Sequence, residues 1–515
     1  MIRNLRRTSQ GLFLLIFLFL FIQTESKGAD ELGYPVRIFL ECDPLLALST
    51  FLSSHRIANG FLLSVILVVV TIALGRVFCG WICPFGTLHT MTGTLKKPSK
   101  KRSHTNWHKI KYYILFFVLS SSVFTAQLSG IVDPLSLLIR SLTLGIYPAV
   151  NYLTRALFDT VYATGIPGIV EVSEFFFTLA KKSILSFHQT YYVQAAGIGL
   201  LFIILLSLNF YERRFWCKYL CPLGAFLGIL SRFAVLKRSV SEGCTSCGVC
   251  ERICTGGAVV DESGTWKISE CLYCMDCDDL CPHRAIRFGF TTNMGAVPMN
   301  LERRHLIASV FAGALAVPLL RIPPLSRTGV FTPTLIRPPG ALEEREFITR
   351  CIRCGECMKV CITNGLQPTL FEAGLEGVWS PVLVPTIGYC EYHCTLCGQV
   401  CPTGAIQKLT LPQKETTKIG VAIIDTSRCL TYAYATPCIV CEEVCPTPEK
   451  AIWFERVKTT DREGNTIVMK QPHVDLHRCI GCGTCETHCP VKSKPAIYVI
   501  STGETRSQDN RALFS

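Results

Sequence analysis

Apolar residues come in blocks along this chain, separated by basic turns and by turns that carry cysteine. Residues 11–22 (GLFLLIFLFLFI) follow a basic N-terminus. The run is short for a bilayer span, which takes about 20 residues. It reads as a retained helix or as the apolar part of a signal peptide, and the retained helix is preferred. Residues 59–78 (NGFLLSVILVVVTIALGRVF) form a clear span, 110–129 (IKYYILFFVLSSSVFTAQLS) a second and 191–210 (YYVQAAGIGLLFIILLSLNF) a third. The stretch 131–190 is apolar in patches, but Arg140, Pro148 and Arg155 argue against a clean span; it is expected outside the membrane or entering it partway. A last block, LERRHLIASVFAGALAVPLL, follows a cysteine-rich stretch and starts with Arg303 and Arg304.

Basic residues beside these blocks orient them. KKPSKKR after the first clear span and ERR after the third place those ends in the cytoplasm, since positive residues stay inside. The blocks also repeat. Cys42-Asp43-Pro44-Leu45, a span and Cys79-Gly-Trp-Ile-Cys83-Pro84-Phe-Gly86 are matched by Val132-Asp133-Pro134-Leu135, a span and Cys217-Lys-Tyr-Leu-Cys221-Pro222-Leu-Gly224. Duplicated membrane halves usually face each other across a pseudo-two-fold axis, which would gather four thiols at the cytoplasmic rim.

Composition agrees that part of the chain lives in lipid: over 515 residues the mean hydropathy is +0.35 and charged residues make up 17%. The net charge of +13 follows from the basic anchors. No aromatic–basic interleaving of the RNA-binding kind is present, so nucleic acid is not an expected partner. The 29 cysteines decide the chemistry. They are too regular for a disulfide scaffold, which belongs to small secreted chains. They resolve into six quartets, two Cys-x3-Cys-Pro pairs and the solitary Cys42, read as a structural thiol.

A Cys-x2-Cys-x2-Cys-x3-Cys run holds a [4Fe–4S] cluster with three thiolates and lends its fourth to a neighbouring cluster. Two such runs at mid-chain, Cys244, Cys247, Cys250, Cys254 and Cys271, Cys274, Cys277, Cys281, predict a two-cluster ferredoxin with that exchange. Four more follow the last apolar block: Cys351, Cys354, Cys357, Cys361; Cys390, Cys394, Cys397, Cys401; Cys429, Cys438, Cys441, Cys445; and Cys479, Cys482, Cys485, Cys489. The second of these is stretched by one residue and the third by six. Sequential pairing of the four is expected, with nested pairing as the alternative. The alternating runs VAIIDTSR and AIYVI fit the short strands that bracket such domains. Six quartets imply six [4Fe–4S] clusters, which move single electrons and bind no substrate.

Cys79, Cys83, Cys217 and Cys221 leave three readings open: one further Fe–S centre across the repeat axis, redox thiol pairs, or a structural or other metal site. Asp43, Asp133, His55 and His89 are candidate proton acceptors by position only. There is no Walker loop, GxGxxG fingerprint, catalytic triad or haem CxxCH, so no catalytic residue is assigned.

RVFCGWICPFGTLH, FWCKYLCPLGAFLG and the ferredoxin after them resemble the NapH group of membrane iron–sulfur proteins and the membrane core of NosR. ERRHLIASVFAGALAVPLLR, RPPGALEEREFITRCIRCGECMKVC and the later quartets resemble NapG and its MauM relatives. Here the twin arginines are internal, and Ile362 stands after Cys361 where proline is usual. The resemblance implies a NapH–NapG-type fusion that carries electrons from the quinol pool, with quinone or quinol as a further cofactor, to a periplasmic reductase or cytochrome.

The expected fold is multi-domain: an internally repeated α-helical membrane core of about four to six transmembrane helices with α+β two-[4Fe–4S] ferredoxin-like domains. Residues 1–235 would form the membrane domain, 236–292 a cytoplasmic ferredoxin, 300–322 a transmembrane helix, 323–340 a Pro-rich linker, 341–500 a periplasmic polyferredoxin and 501–515 a disordered tail. The protein would be a multi-pass inner-membrane electron-transfer subunit. The alternatives are a metalloenzyme maturation factor that uses its clusters as reductant, and a thiol-reducing membrane protein.

Overall fold

A computed structural model describes residues 2–26, 30–56, 59–95, 107–166, 168–186, 188–258, 266–291, 301–322, 332–460, 464–507 and 510. The basic KKPSKKR loop lies outside them. The chain forms two compact units. One comprises Met1–Gln23, Tyr34–Leu142 and Ala196–Leu319; the other comprises Thr24–Gly33, Thr143–Ala195 and Leu320–Ser515. The expected continuous 1–235 domain is therefore divided, with residues 24–33 and 143–195 folding with the C-terminal cysteine-rich region.

In the first unit the repeat extends to individual hydrogen bonds. The helices Pro44–Ser54 and Pro134–Ser141 both begin on an Asp-Pro step. Asp43 accepts from the N–H groups of Leu45 and Leu46 (2.8 and 3.1 Å), and Asp133 from those of Leu135 and Ser136 (3.0 and 2.9 Å). A carboxylate at the N-cap satisfies amides that have no partner inside the helix, and proline at the first position needs none. The helices Pro84–Thr92 and Pro222–Leu230 begin the same way on Cys-Pro steps, and each follows a π-helical turn, Phe78–Ile82 or Trp216–Leu220. Contacts cross between the halves: Pro84–Thr92 packs on Pro134–Ser141, and Pro222–Leu230 on Pro44–Ser54.

Among the described residues two helices are long and apolar enough to cross a membrane unaided, Ile2–Gln23 and Arg303–Leu320. The first is longer than its apolar run because the basic segment before residue 11 is also helical. The other expected spans appear as the shorter helices Leu62–Leu74, Ile110–Val123 and Ala195–Ser207. The first of these stops at Gly75, whose φ is +77°. Arg303–Leu320 lies along Ile110–Val123, where Ser120 donates to the Val310 carbonyl at 2.8 Å. The helices Tyr147–Ala163 and Ile169–Ser183 pack on each other in the second unit.

Strands β1 (Leu236–Val240) and β2 (Ile286–Phe290) pair antiparallel and bracket the central cysteine runs. In the second unit β3 (Leu366–Pro368) pairs with β4 (Pro381–Leu383). β5 (Val421–Ile424) pairs antiparallel with β8 (Ile497–Ile500), closing the third and fourth outer quartets into one domain. β6 (Ile452–Thr460) and β7 (Thr466–Val474) form a long hairpin.

Two boundary expectations are corrected. Residues 332–340 are not linker: Ile336 bridges Leu383, and Arg337 is buried. Residues 501–507 are not a disordered tail. Arg506 pairs with Glu344 and Glu504 (2.9 and 2.7 Å), and the Thr505 N–H donates to the Lys418 carbonyl. Polar composition suggested solvent, but Arg506 and Thr505 find an ionic and a hydrogen-bond partner, Glu344 and Lys418, far off in sequence. Residues 323–331 lie outside the described residues.

Candidate electron-transfer centres

The cysteine loops turn by backbone means. In four quartets the residues flanking the second cysteine adopt left-handed backbone: Ser246 and Gly248, Tyr273 and Met275, Arg353 and Gly355, Gly481 and Gly483. Successive turns of this kind aim amide N–H groups into a concavity suited to an anionic cluster. The two stretched quartets lack that pair of left-handed residues.

The outer quartets group by exchange of their fourth cysteine. Cys351, Cys354, Cys357 and Cys401 line one cavity of about 370 Å³. Cys361, Cys390, Cys394 and Cys397 line another of about 420 Å³. Cys429, Cys438, Cys441 and Cys489 line a third of about 370 Å³. Cys445 lies with Cys479, Cys482 and Cys485. The grouping is sequential, first quartet with second and third with fourth. The two pairs meet where the Cys390 N–H donates to the Cys482 carbonyl at 2.8 Å. The four groups thus form a row in the order Cys351, Cys390, Cys479, Cys429, naming each by its first cysteine.

Burial pushes the Cys390 and Cys441 thiols up to about 12, and those of Cys394 and Cys479 to about 11. Without metal these thiols stay protonated at neutral pH, so cluster binding must displace their protons. Backbone N–H groups already point at sulfur: Ala422 donates to Cys479 Sγ and Ile406 to Cys401 Sγ, both at 3.4 Å. Among the described residues no three His, Cys, Asp or Glu side chains converge on a point as ligands of a single ion. A four-iron cluster takes one thiolate per iron, so its ligands stand around a cage.

The row is anchored at one end by the segments 24–33 and 190–195 of the same unit. Tyr192 Oη donates to the Met358 carbonyl (3.0 Å), Gln194 Nε2 to that of Pro368 (2.9 Å), and Lys359 Nζ to that of Thr24 (2.9 Å). The Thr395 N–H donates to Asp30 Oδ1 at 2.7 Å. All these contacts fall on the domain of the first and second outer quartets.

In the central domain Cys254 lies with Cys271, Cys274 and Cys277. Cys244 and Cys247 are exposed, with Cys250 and Cys281 half-buried. The structure also brings Cys79, Cys83, Cys217 and Cys221 within electrostatic reach of one another. Cys83 Sγ accepts from the Gly86 N–H (3.4 Å) and Cys221 Sγ from that of Gly224 (3.2 Å), so the symmetry holds at the sulfur atoms. This thiol group abuts the central ferredoxin. Trp81 Nε1 donates to the Tyr273 carbonyl at 2.9 Å, and a Cβ on Gly80 would lie 2.3 Å from the Leu272 carbonyl. Arg6 reaches both oxygens of Asp276 (3.0 and 2.8 Å), while Lys111, Tyr112 and Arg76 converge on the buried Glu270.

Of the proton-acceptor candidates, Asp43 and Asp133 come together: both are fully buried electrostatic neighbours, and Asp43 Oδ2 and Asp133 Oδ1 have no hydrogen-bond partner among the described residues. His89 is buried beside Asn209, 2.6 Å from Nδ1 to Nδ2. His55 ends the Pro44–Ser54 helix in a left-handed turn, and Cys42 is half-buried. Neither joins a cluster-like group.

Cysteine cages in bacterial-ferredoxin order, joined in a row, define an iron–sulfur electron-transfer protein. A family model described as a 4Fe-4S binding domain matches residues 58–102, 193–241 and 397–412, and another of the same description matches 471–493. The ferredoxin-type protein NapG of Escherichia coli is 32% identical over 208 residues, 40% of this chain and 87% of that protein. The methylamine utilization ferredoxin-type protein MauM of Methylorubrum extorquens is 38% identical over 171 residues, 32% of this chain and 72% of that protein. The putative electron transport protein YccM of E. coli is 26% identical over 234 residues, 44% of this chain, which spans only 54% of that relative. The chain belongs to the NapG/MauM family of ferredoxin-type proteins.

Proposed function

We propose that the six quartets hold six [4Fe–4S] clusters in a multi-pass inner-membrane protein that passes electrons from the quinol pool, or from a cytoplasmic donor, to a periplasmic reductase or cytochrome. The observation that carries this reading is the row of four cysteine cages joined at Cys390 and Cys482. It offers a path with an entry end, tied to segments 24–33 and 190–195, and an exit end at Cys429, Cys438, Cys441 and Cys489. The clusters supply one-electron carriage; the chain supplies thiolates, N–H···S bonds and exclusion of water, which set each potential.

A membrane setting is supported by the apolar side chains left exposed on the short helices, such as Leu62, Val65, Ile66 and Val69, and Leu200, Ile203 and Ile204. Segments 24–33 and 143–195, which the positive-inside pattern puts outside the cytoplasm, fold in one unit with residues 320–515. That companionship favours a periplasmic polyferredoxin and a cytoplasmic domain over 236–292. A C-terminal reporter active only outside the cytoplasm should be active, and iron and sulfide analysis of anaerobically purified protein should find at least about 24 of each for six four-iron clusters. A cytoplasmic C-terminus, or a count far below that, sinks the reading.

A further inference from the structure

The ground around the Cys-x3-Cys-Pro thiols is electrically lopsided. Arg76, Lys111 and Arg214 are each at most 2% exposed, and Glu270 is the buried carboxylate among them. Lys111 donates to Glu270, so these two cancel wherever their proton sits. Two guanidinium groups then remain, and an arginine in a protein does not give up its charge. Arg76 Nη1 donates to the Ser269 carbonyl at 2.7 Å and lies 3.7 Å from the already paired Glu270. Its Nη2 lies 2.8 Å from the point where a Gly224 Cβ would stand, and that point is 3.3 Å from Cys221 Sγ. Arg214 gives Nε to Thr90 Oγ1 (2.9 Å) and Nη1 to the Cys79 carbonyl (3.1 Å), while its Nη2 is buried with no partner. Two buried cations thus flank four thiols, one from each half of the repeat. Buried charge that lacks a counter-charge is strongly unfavourable.

Each open reading of the four cysteines carries its own charge. Thiols or disulfides carry none and leave both arginines uncompensated. Four thiolates on a [4Fe–4S] core of charge two-plus carry two negative charges, which match the two arginines. We infer that Cys79, Cys83, Cys217 and Cys221 hold a seventh cluster, a [4Fe–4S] centre bound by all four thiolates, with Arg76 and Arg214 as its charge partners. The N–H groups of Gly86 and Gly224, directed at Cys83 and Cys221 sulfur, stabilise the same thiolates. Trp81 and Gly80 lay the centre against the loop of Cys271 and Cys274, so an electron taken from one cluster is received by the other with no change in total charge. The role as a relay rests on the iron–sulfur reading above; the charge argument does not.

The test uses the full chain, purified anaerobically in detergent. Cys79→Ala/Cys217→Ala should lose about four iron and four sulfide per chain and one EPR signal, leaving the rest near 24. If the variant fails to fold, the intact protein decides: about 28 iron supports the seventh cluster and about 24 overturns it. Loss of two irons, of zinc, or of no metal from the variant also overturns the assignment. Arg214→Gln should lower the midpoint potential of that one signal, because reduction adds negative charge, and Arg214→Lys should restore most of the shift. A potential unmoved by Arg214→Gln removes Arg214 as charge partner.

Discussion

The indole N–H of Trp81 donates to the carbonyl of Tyr273 at 2.9 Å. Trp81 stands between Cys79 and Cys83 in one half of the internal repeat, and Tyr273 between Cys271 and Cys274 in the central ferredoxin. One hydrogen bond therefore ties together the interiors of two cysteine motifs that are 192 residues apart. Ile2–Gln23 braces the same turn, where Gln10 Nε2 donates to the Gly80 carbonyl at 2.7 Å. The turn and the loop are held as one piece, as the proposed electron transfer between them requires.

Gly80 tests that fit. A Cβ there would lie 2.3 Å from backbone, the Leu272 carbonyl, which cannot swing aside as a side chain can. Gly80→Ala should force the turn off the ferredoxin loop, at a cost of about 1–3 kcal/mol as for other overpacked sites. Thermal unfolding should show it, and on the proposed function reduction of the central clusters by quinol should slow while total iron stays unchanged. Wild-type stability with wild-type reduction rates would mean that the contact is dispensable.

The Asp43–Asp133 pair separates capping from proton sharing. Two buried carboxyls side by side favour one proton between them, whereas each N-cap needs only an acceptor oxygen. Asp43→Asn keeps the acceptor and adds a donor toward Asp133, so stability should stay within about 0.5 kcal/mol. Asp43→Ala removes the cap and should cost about 1 kcal/mol or more. Unfolding of both variants in one detergent checks the order; equal losses would show that the cap is not what matters.

Glu344 sets an acid limit on the polyferredoxin. Burial alone would raise its carboxyl, but Arg337 and Arg506 outweigh that and hold it at about 2, against an ordinary value of 4.5. Arg337 Nε donates to Oε2 at 3.0 Å and Arg506 Nη1 at 2.9 Å. A depressed carboxyl stabilises the folded state fully above its unfolded value, and that contribution is lost as pH falls through the folded one. Between about pH 4.5 and 2 the wild type should lose on the order of 3 kcal/mol that Glu344→Gln never has. Parallel stability–pH curves for the two proteins would contradict the assignment.

The row of cages makes a directional prediction. Cys441→Ser should remove the group at Cys429, Cys438, Cys441 and Cys489, about four irons. The other three outer clusters should still be reduced from the entry end, while delivery to an external acceptor stops. Stopped-flow absorbance on the purified protein separates the two steps. Undiminished delivery would place the exit elsewhere.

The polyferredoxin shows how far sequence carried. Cysteine spacing specified the cages, because a three-thiolate loop needs two residues between its ligands. It left the pairing and the order of the cages open. The β5–β8 ladder settled both, setting the third and fourth quartets in one domain and presenting Cys482, from the last quartet, to Cys390. The long hairpin of β6 and β7 is set by its register of paired residues, from Ile452 with Val474 to Thr460 with Thr466.

Sequence by itself determined what local chemistry determines: which segments are apolar, which cysteines belong together in a loop, and that Asp-Pro and Cys-Pro steps recur in two halves. Those are properties of neighbours along the chain. Only the tertiary structure decided that Asp43 meets Asp133, that Arg506 anchors the chain end to Glu344, and that the loop of Trp81 lies on the loop of Tyr273. These are choices among distant partners, made by burial and charge pairing across folded surfaces, and no local pattern encodes them.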